Sequence, residues 1–214
     1  MKSIRTIIAA FFAALLLGAG IASAFSVDLT FPNAAGMPVM TYATVNGSLT
    51  DVHTFHFNIN LAPGLSNDLG GGGNFGMDHF AFNTDLLGQI SISNLDPTMW
   101  TIQLNKNMDG FGTYDIRMLH GQQGQPRPPR TDYLYFDVLA PNVNLTENNF
   151  FILSDSPADN GQGHFAAHIG GFNNYVPGST FVRDEENPIP EPGTMILLGI
   201  SLLTAAGFMR KMQK

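Results

Sequence analysis

A two-residue alternation of apolar and polar side chains constrains the fold of this chain more than any other feature. Between residues 52 and 61 the apolar positions are Phe55, Phe57, Ile59 and Leu61, and polar residues lie between them. Successive side chains of a β-strand point to opposite faces, so this spacing places the apolar set on one face. The same period recurs in short segments bounded by Gly, Asn, Asp or Pro: Phe80 and Phe82; Ile90 and Ile92; Trp100, Ile102 and Leu104; Tyr114, Ile116 and Met118; Leu134, Phe136 and Val138.

Short alternating segments with turn signals at about ten-residue spacing predict an all-β fold, an antiparallel β-sandwich or jelly roll. No stretch between Phe25 and Asn187 sustains a helical apolar stripe over three turns. The face that carries Trp100, Ile102 and Leu104 is assigned to the core. Because the chain has no cysteine, thiol chemistry is excluded and the core must stabilise the fold without disulfides.

Residues 1–24 have the organisation of a Sec signal peptide. Lys2 and Arg5 precede an apolar core from Ile7 to Ile21, and Ala22-Ser23-Ala24 follows. A basic start, an apolar centre and small residues at an A-x-A site are the features that signal peptidase recognises. Cleavage after Ala24 makes Phe25 the first mature residue. The alternative is an uncleaved N-terminal membrane anchor.

Residues 190–214 combine a proline-rich break, an apolar run and a basic end. Pro190-Glu191-Pro192 precedes the run from Met195 to Phe208, and Arg210 and Lys211 follow it. Proline does not continue a helix, the apolar run partitions into lipid, and the basic cluster stays on the cytoplasmic side. The run is about fifteen residues long, shorter than the ~20 that cross a bilayer core, so we expect a single, marginal transmembrane helix.

This arrangement of Pro190, Glu191 and Pro192, an apolar run and a basic end with Arg210 and Lys211 resembles the PEP-CTERM sorting signal. The resemblance implies processing by a membrane-embedded exosortase of a Gram-negative bacterium. It implies transient anchoring in the inner membrane and then delivery to the cell surface or extracellular matrix. It also implies association with exopolysaccharide and with biofilm formation. The alternative is a permanent C-terminal anchor that is never cut.

The chain therefore divides into a signal peptide at 1–24, an exported domain at 25–182, an acidic, proline-containing linker at 183–189 and the sorting signal at 190–214. Cleavage after Ala24 and just after Glu191 leaves 17 acidic residues against five basic ones, which are Lys106, Arg117, Arg127, Arg130 and Arg183. Such an excess of acids repels phosphate backbones and attracts cations. We therefore expect no nucleic-acid partner.

One turn has the pattern of a calcium loop. Residues 105–110 carry oxygen-bearing side chains at alternate positions and a glycine at the sixth. The leading Asp is missing and Ile116 stands where an EF-hand has its bidentate Glu, so the EF-hand interpretation fails. A weak calcium site remains one hypothesis, and an ordinary turn rich in Asn, Asp and Gly is the other. The candidate ligands are Asn105, Asn107, Asp109 and Asp115, and we expect no other cofactor.

Two pairs of residues are candidate glycan contacts. Tyr133 and Tyr135 lie on the less apolar face of their strand, where their rings can stack on sugars unless they pack beneath a loop. Arg127 and Arg130 lie in a proline-rich segment and can clamp a carboxylate or an acidic glycan. The alternative for the arginines is a semi-rigid, solvated connection.

The spacing of charged residues gives no catalytic constellation. On a strand His164 and His168 lie about 13 Å apart, too far for one metal ion, and we assign no metal or catalytic role to any histidine. Asp132 and Asp137 have odd spacing and so cannot flank one glycosidic bond. We expect a non-enzymatic, structural or exopolysaccharide-associated protein. The alternatives are a carbohydrate-active hydrolase and a glycan-binding module that act on matrix polysaccharide.

Overall fold

The computed structural model describes residues 24–121, 130–155, 159–176 and 178–186. These residues belong to one compact unit, Ala24–Glu191. The predicted signal-peptide helix, the transmembrane helix of the sorting signal and Arg127 lie outside the described residues. Within the described part, no helix is both long enough and apolar enough to span a bilayer.

The described residues form two antiparallel sheets, which confirms the prediction of an all-β fold. The five-stranded sheet has the order β1 (Ala24–Leu29), β3 (Ala43–Asp51), β4 (Thr54–Leu61), β9 (Tyr133–Leu139) and β6 (Ser91–Asp96). The six-stranded sheet has the order β2 (Phe31–Pro32), β11 (Ser179–Arg183), β10 (Phe165–Phe172), β5 (Gly71–Phe82), β8 (Thr113–His120) and β7 (Trp100–Asn107). A short helix, α1 (Leu65–Leu69), precedes β5, and a 3-10 helix (Glu147–Phe150) follows β9.

The two sheets pack face to face through a core rich in phenylalanine. Phe57 of β4 stacks on Phe136 of the neighbouring β9 with ring centroids 4.8 Å apart, and on Phe82 of the opposite sheet at 5.4 Å. Along β4 the buried residues alternate with half-buried polar ones, as the sequence predicts. Apolar side chains from both sheets thus form one cluster, and the unit has its own core.

The edge strand β7 departs from the predicted pattern. Trp100 is 5% exposed, which confirms its predicted burial, but Ile102 and Leu104 are 42% and 54% exposed. The assignment of these two residues to the core was wrong. Because β7 is an edge strand bonded only to β8, its far end has no layer of side chains packed over it.

The folded region continues past residue 182, after which the linker was predicted to start. β11 ends at Arg183, and the next residue, Asp184, is completely buried. Its Oδ1 accepts hydrogen bonds from the backbone N–H groups of His164 and Phe165 at 2.8 and 2.9 Å. Its Oδ2 lies 2.8 Å from Nδ1 of His164. Asp184 therefore ties the end of the last strand to the start of β10.

A smaller apolar cluster forms where the turn between β7 and β8 packs against the six-stranded sheet. Ala81 and Ala166 point away from the main core, since their neighbours in β5 and β10 face it. Their small side chains let the turn approach closely. The cluster contains Ala81, Met108, Phe111, Tyr114 and Ala166, with Phe181 packed against it. The polar site described next lies on the same outer face, further along β5 and β10.

Candidate functional sites

A β-bulge between β5 and β10 places two consecutive residues on the same face. His168 pairs with His79 but Ile169 pairs with Met77, so Asp78 has no residue opposite it. Met77 and Phe80 both belong to the main core. Asp78 and His79 between them therefore turn to the outer face, as the extra residue of a bulge allows. His168 reaches the same face through the normal alternation of β10.

The carboxylate of Asp78 is the centre of a four-residue group, called here the Asp78 cluster. Its Oδ1 lies 2.7 Å from Nδ1 of His79 and 2.5 Å from Nδ1 of His168. Its Oδ2 accepts the Nε–H of Arg130 at 2.8 Å. The Asp78 side chain is 2% exposed, whereas those of His79 and His168 are 20% and 14% exposed. The buried carboxylate thus contacts one guanidinium and two imidazoles.

Burial of Asp78 by itself raises the pKa of the carboxyl group, but the hydrogen bonds from His168 and His79 outweigh it and hold the pKa well below its usual value. An ionised carboxylate only accepts hydrogen bonds, so both contacts require a proton on Nδ1. In a neutral imidazole the lone pair then lies on Nε2. The guanidinium of Arg130 supplies the charge that compensates the buried carboxylate.

A pocket of about 250 Å³ opens beside His168. Its wall includes Asn33, Asp109, Ser179 and Phe181. The turn that carries Asp109 is fixed there by a 2.8 Å hydrogen bond from Nδ2 of Asn33 to the Asp109 carbonyl oxygen. The ring of His168 packs on Phe181 at 4.4 Å. The pocket therefore brings the Asp78 cluster next to a solvent-accessible space.

The Asp78 cluster was not predicted from the sequence. The strand spacing separates His164 from His168, and in the structure these residues do have different partners, Asp184 and Asp78. Adjacent residues such as Asp78 and His79 face opposite sides of a regular strand, so their spacing predicts no common site. The available signal was Gly76, which has a φ of 145° and lies just before the bulge. An isolated glycine in a strand pattern is typical of a bulge.

Tyr133 and Tyr135 lie on the outer face of the five-stranded sheet, as the alternation of β9 predicts. Their ring centroids are 4.9 Å apart and both residues are half-buried. The register places Asn60 opposite Tyr133 and Asn58 opposite Tyr135. The Tyr135 hydroxyl donates to Oδ1 of Asn60 at 3.4 Å. We call these four residues, with Asp137 at the end of the row, the tyrosine face.

Arg130 does not join the tyrosine face. Its guanidinium donates to Asp78 and to the carbonyl oxygen of Asn74, at 3.1 Å from Nη1, and only 16% of the side chain is exposed. It is therefore neither a solvated residue nor a free clamp for an acidic glycan.

The four candidate calcium ligands have the following positions. Asn105 and Asn107 are exposed on β7, and Asp109 lies in the turn that follows. Oδ2 of Asp115 accepts the backbone N–H of Thr84 at 3.0 Å, so this carboxylate is already engaged with the loop after β5. The calcium site stays a prediction.

Residues 188–211 match the sequence pattern of the PEP-CTERM protein-sorting motif. The motif implies export and processing by an exosortase, with a cell-surface or extracellular location. No curated protein and no solved structure matches the chain.

Proposed function

We propose that this PEP-CTERM sorting domain-containing protein is a non-enzymatic component of the extracellular matrix that binds polysaccharide through the tyrosine face. The sorting motif supports its export to the cell surface or beyond. One observation carries the binding function: two tyrosine rings lie side by side, 4.9 Å apart, on an otherwise polar sheet surface.

The chemistry of the tyrosine face suits a sugar chain. An aromatic ring offers a broad apolar surface with a negative face, on which the C–H groups of a pyranose ring can pack. Amide side chains both donate and accept hydrogen bonds, as sugar hydroxyls do. Asn58 and Asn60 lie on the strand next to the tyrosines, so stacking and hydrogen-bonding groups alternate across one surface.

The charge of the tyrosine face favours a neutral polysaccharide. Basic residues of the described part of the chain belong to the six-stranded sheet or contact it: Lys106, Arg117, Arg130 and Arg183. The tyrosine face instead carries Asp137, whose carboxylate is 2.7 Å from Nδ1 of His56 and accepts Nδ2–H of Asn94 at 2.6 Å. A carboxylate with no lysine or arginine beside it disfavours uronic acids and sulfated sugars.

We expect the unit of residues 24–191 to be retarded in affinity gel electrophoresis by a neutral polysaccharide, and the double substitution Tyr133→Ala and Tyr135→Ala to weaken binding about tenfold or more. Stacking on one aromatic ring contributes about 1 kcal/mol, and each 1.4 kcal/mol is a factor of ten. Gels with dextran, hydroxyethylcellulose and galactomannan test neutral sugars, and alginate tests an acidic one.

The matched control is the double substitution of the same tyrosines with phenylalanine. It keeps both rings and removes only the hydroxyls, so most of the retardation should remain. If none of the polysaccharides, including the exopolysaccharide of the producing cells, retards the protein, the binding proposal fails. Release of reducing sugar during the assay would contradict the non-enzymatic part of the proposal.

We expect the exported protein to begin at Phe25 and to lose its apolar tail near Pro190. The Phe25 ring packs on Phe55 at 5.8 Å and on Phe165 at 5.4 Å, so cleavage by signal peptidase has to fall before it for the core to stay filled. Mass spectrometry of protein released from the cell surface gives both ends directly. Molecules that still carry Met195 to Lys214 would indicate a permanent anchor.

A further inference from the structure

We propose that the Asp78 cluster binds one divalent transition-metal ion of the Zn²⁺ class, with Oδ1 of Asp78 and one nitrogen each of His79 and His168 as ligands. These three side chains offer ligand atoms that all lie within 4.8 Å of one another. Two imidazoles and a carboxylate are a donor set that suits zinc, copper, nickel and iron ions.

Asp78 accepts more hydrogen bonds than are needed to compensate the charge of its buried carboxylate. Arg130 alone compensates the charge of Asp78, through the 2.8 Å contact to Oδ2. Elsewhere in the described part of the chain, a single imidazole pairs with a carboxylate: His164 with Asp184, and His56 with Asp137. At Asp78 two imidazoles from neighbouring strands converge on one oxygen. Convergence of this kind is the arrangement that a metal ion needs.

Small side-chain movements would open the cluster for an ion. Two ligand atoms that are each about 2.1 Å from a tetrahedral ion lie about 3.4 Å apart. The present distances from Asp78 Oδ1 to the two Nδ1 atoms are 2.7 and 2.5 Å, so each has to lengthen by less than about 1 Å. Coordination through Nδ1 requires that the proton now shared with Asp78 leaves that nitrogen, and the ring can carry a proton on Nε2 instead.

The surroundings of the cluster support the same role. The guanidinium of Arg130 holds Oδ2 and so fixes the carboxylate with Oδ1 toward the histidines, as outer partners of metal ligands commonly do. The pocket beside His168 gives an ion and its remaining water ligands a path from solvent. Because Arg130 also places a positive charge near the ion, we expect weaker binding than at a site of the same ligands without a neighbouring cation.

The experiment uses the unit of residues 24–191 without a polyhistidine tag, dialysed against EDTA and then against metal-free buffer. We expect titration with ZnCl₂ to show one ion per molecule by calorimetry. CoCl₂ should give visible absorption bands of a site with nitrogen and oxygen ligands. Zn²⁺ should also raise the Tm in a concentration-dependent way, because an ion that binds only the folded state stabilises it.

The variants His79→Gln and His168→Gln remove one ligand each and should weaken Zn²⁺ binding at least about tenfold. His56→Gln is the matched control, since it also removes an imidazole bonded through Nδ1 to an aspartate but leaves the Asp78 cluster intact. Its affinity for Zn²⁺ should equal that of the unchanged protein. Circular dichroism of each metal-free variant checks that the fold is retained.

Absence of saturable Zn²⁺ and Co²⁺ binding to the unchanged protein would overturn the proposal. So would binding that is lost equally in His56→Gln, because the ion would then lie elsewhere. If the two ligand variants do not fold, the Co²⁺ spectrum of the unchanged protein decides: bands that show only oxygen ligands contradict the assignment.

Discussion

Replacement of Phe57 by alanine should lower the free energy of unfolding of the exported unit by about 3–5 kcal/mol, the usual cost of a large cavity in a core. Phe57 has no exposed surface, and its ring contacts those of Phe136, Phe82 and Phe150 at centroid distances of 4.8, 5.4 and 5.0 Å. These neighbours come from both sheets and from the 3-10 helix. Phe136 and Phe82 are held in place by strand pairing, so the neighbours can close only part of the cavity.

The matched control for Phe57→Ala is Leu104→Ala, which also truncates a large apolar residue of a strand. Leu104 is 54% exposed at the sheet edge, so we expect a change within about 0.5 kcal/mol. Urea unfolding can be followed by fluorescence because the chain has one tryptophan, Trp100, and it is buried. Equal losses for the two variants would contradict both the aromatic core and the exposed face of β7.

Substitution of Asp184 by alanine should cost about 3 kcal/mol of folding free energy. The carboxylate accepts hydrogen bonds from the backbone N–H groups of His164 and Phe165 and contacts the imidazole of His164, all in a buried setting. Alanine leaves these groups without an acceptor, and each unsatisfied buried donor costs about 1–3 kcal/mol. The loss of the acidic side chain also detaches the residues after β11 from the start of β10.

Two further variants separate the parts of this effect. Asp184→Asn keeps an oxygen for the two backbone N–H groups but places an amide NH₂ where Oδ2 faced Nδ1 of His164, so its cost should be smaller than that of alanine. Asp28→Ala removes a carboxylate that accepts hydrogen bonds from Thr41 and Thr44 on the exposed surface, and should cost less than about 1 kcal/mol. A loss at Asp184→Ala no larger than at Asp28→Ala would show that the region after β11 is a linker after all.

The strand pattern was predictable in β4 and β9, each of which has a neighbouring strand on both sides. In β4 and β9 the alternation of the sequence gives the buried and outer faces correctly, including the outer position of Tyr133 and Tyr135. In β7 the same alternation failed, since burial of Ile102 and Leu104 depends on whether another layer covers the sheet edge. A two-residue period predicts which residues share one face of a strand, but not whether that face packs against another layer or contacts solvent.

Arg130 shows the same limit for charged residues. Its proline-rich neighbourhood indicated a solvated segment, yet its guanidinium reaches a carboxylate that lies 52 residues earlier in the chain. Nothing near either residue in the sequence encodes that contact. The contact forms because Thr131 pairs with Met77 as the chain crosses from one sheet to the other.

The sequence by itself determined the sorting motif at 188–211 and the all-β character of the exported domain. The motif consists of consecutive residues, and the strands follow from a local period of two. Only the tertiary structure decided the Asp78 cluster. His168 lies 90 residues from Asp78, and the two meet through the pairing of β5 with β10. A single extra residue in that pairing turns Asp78 to the side of His79, and the position of a bulge depends on how both sheets pack, not on local spacing.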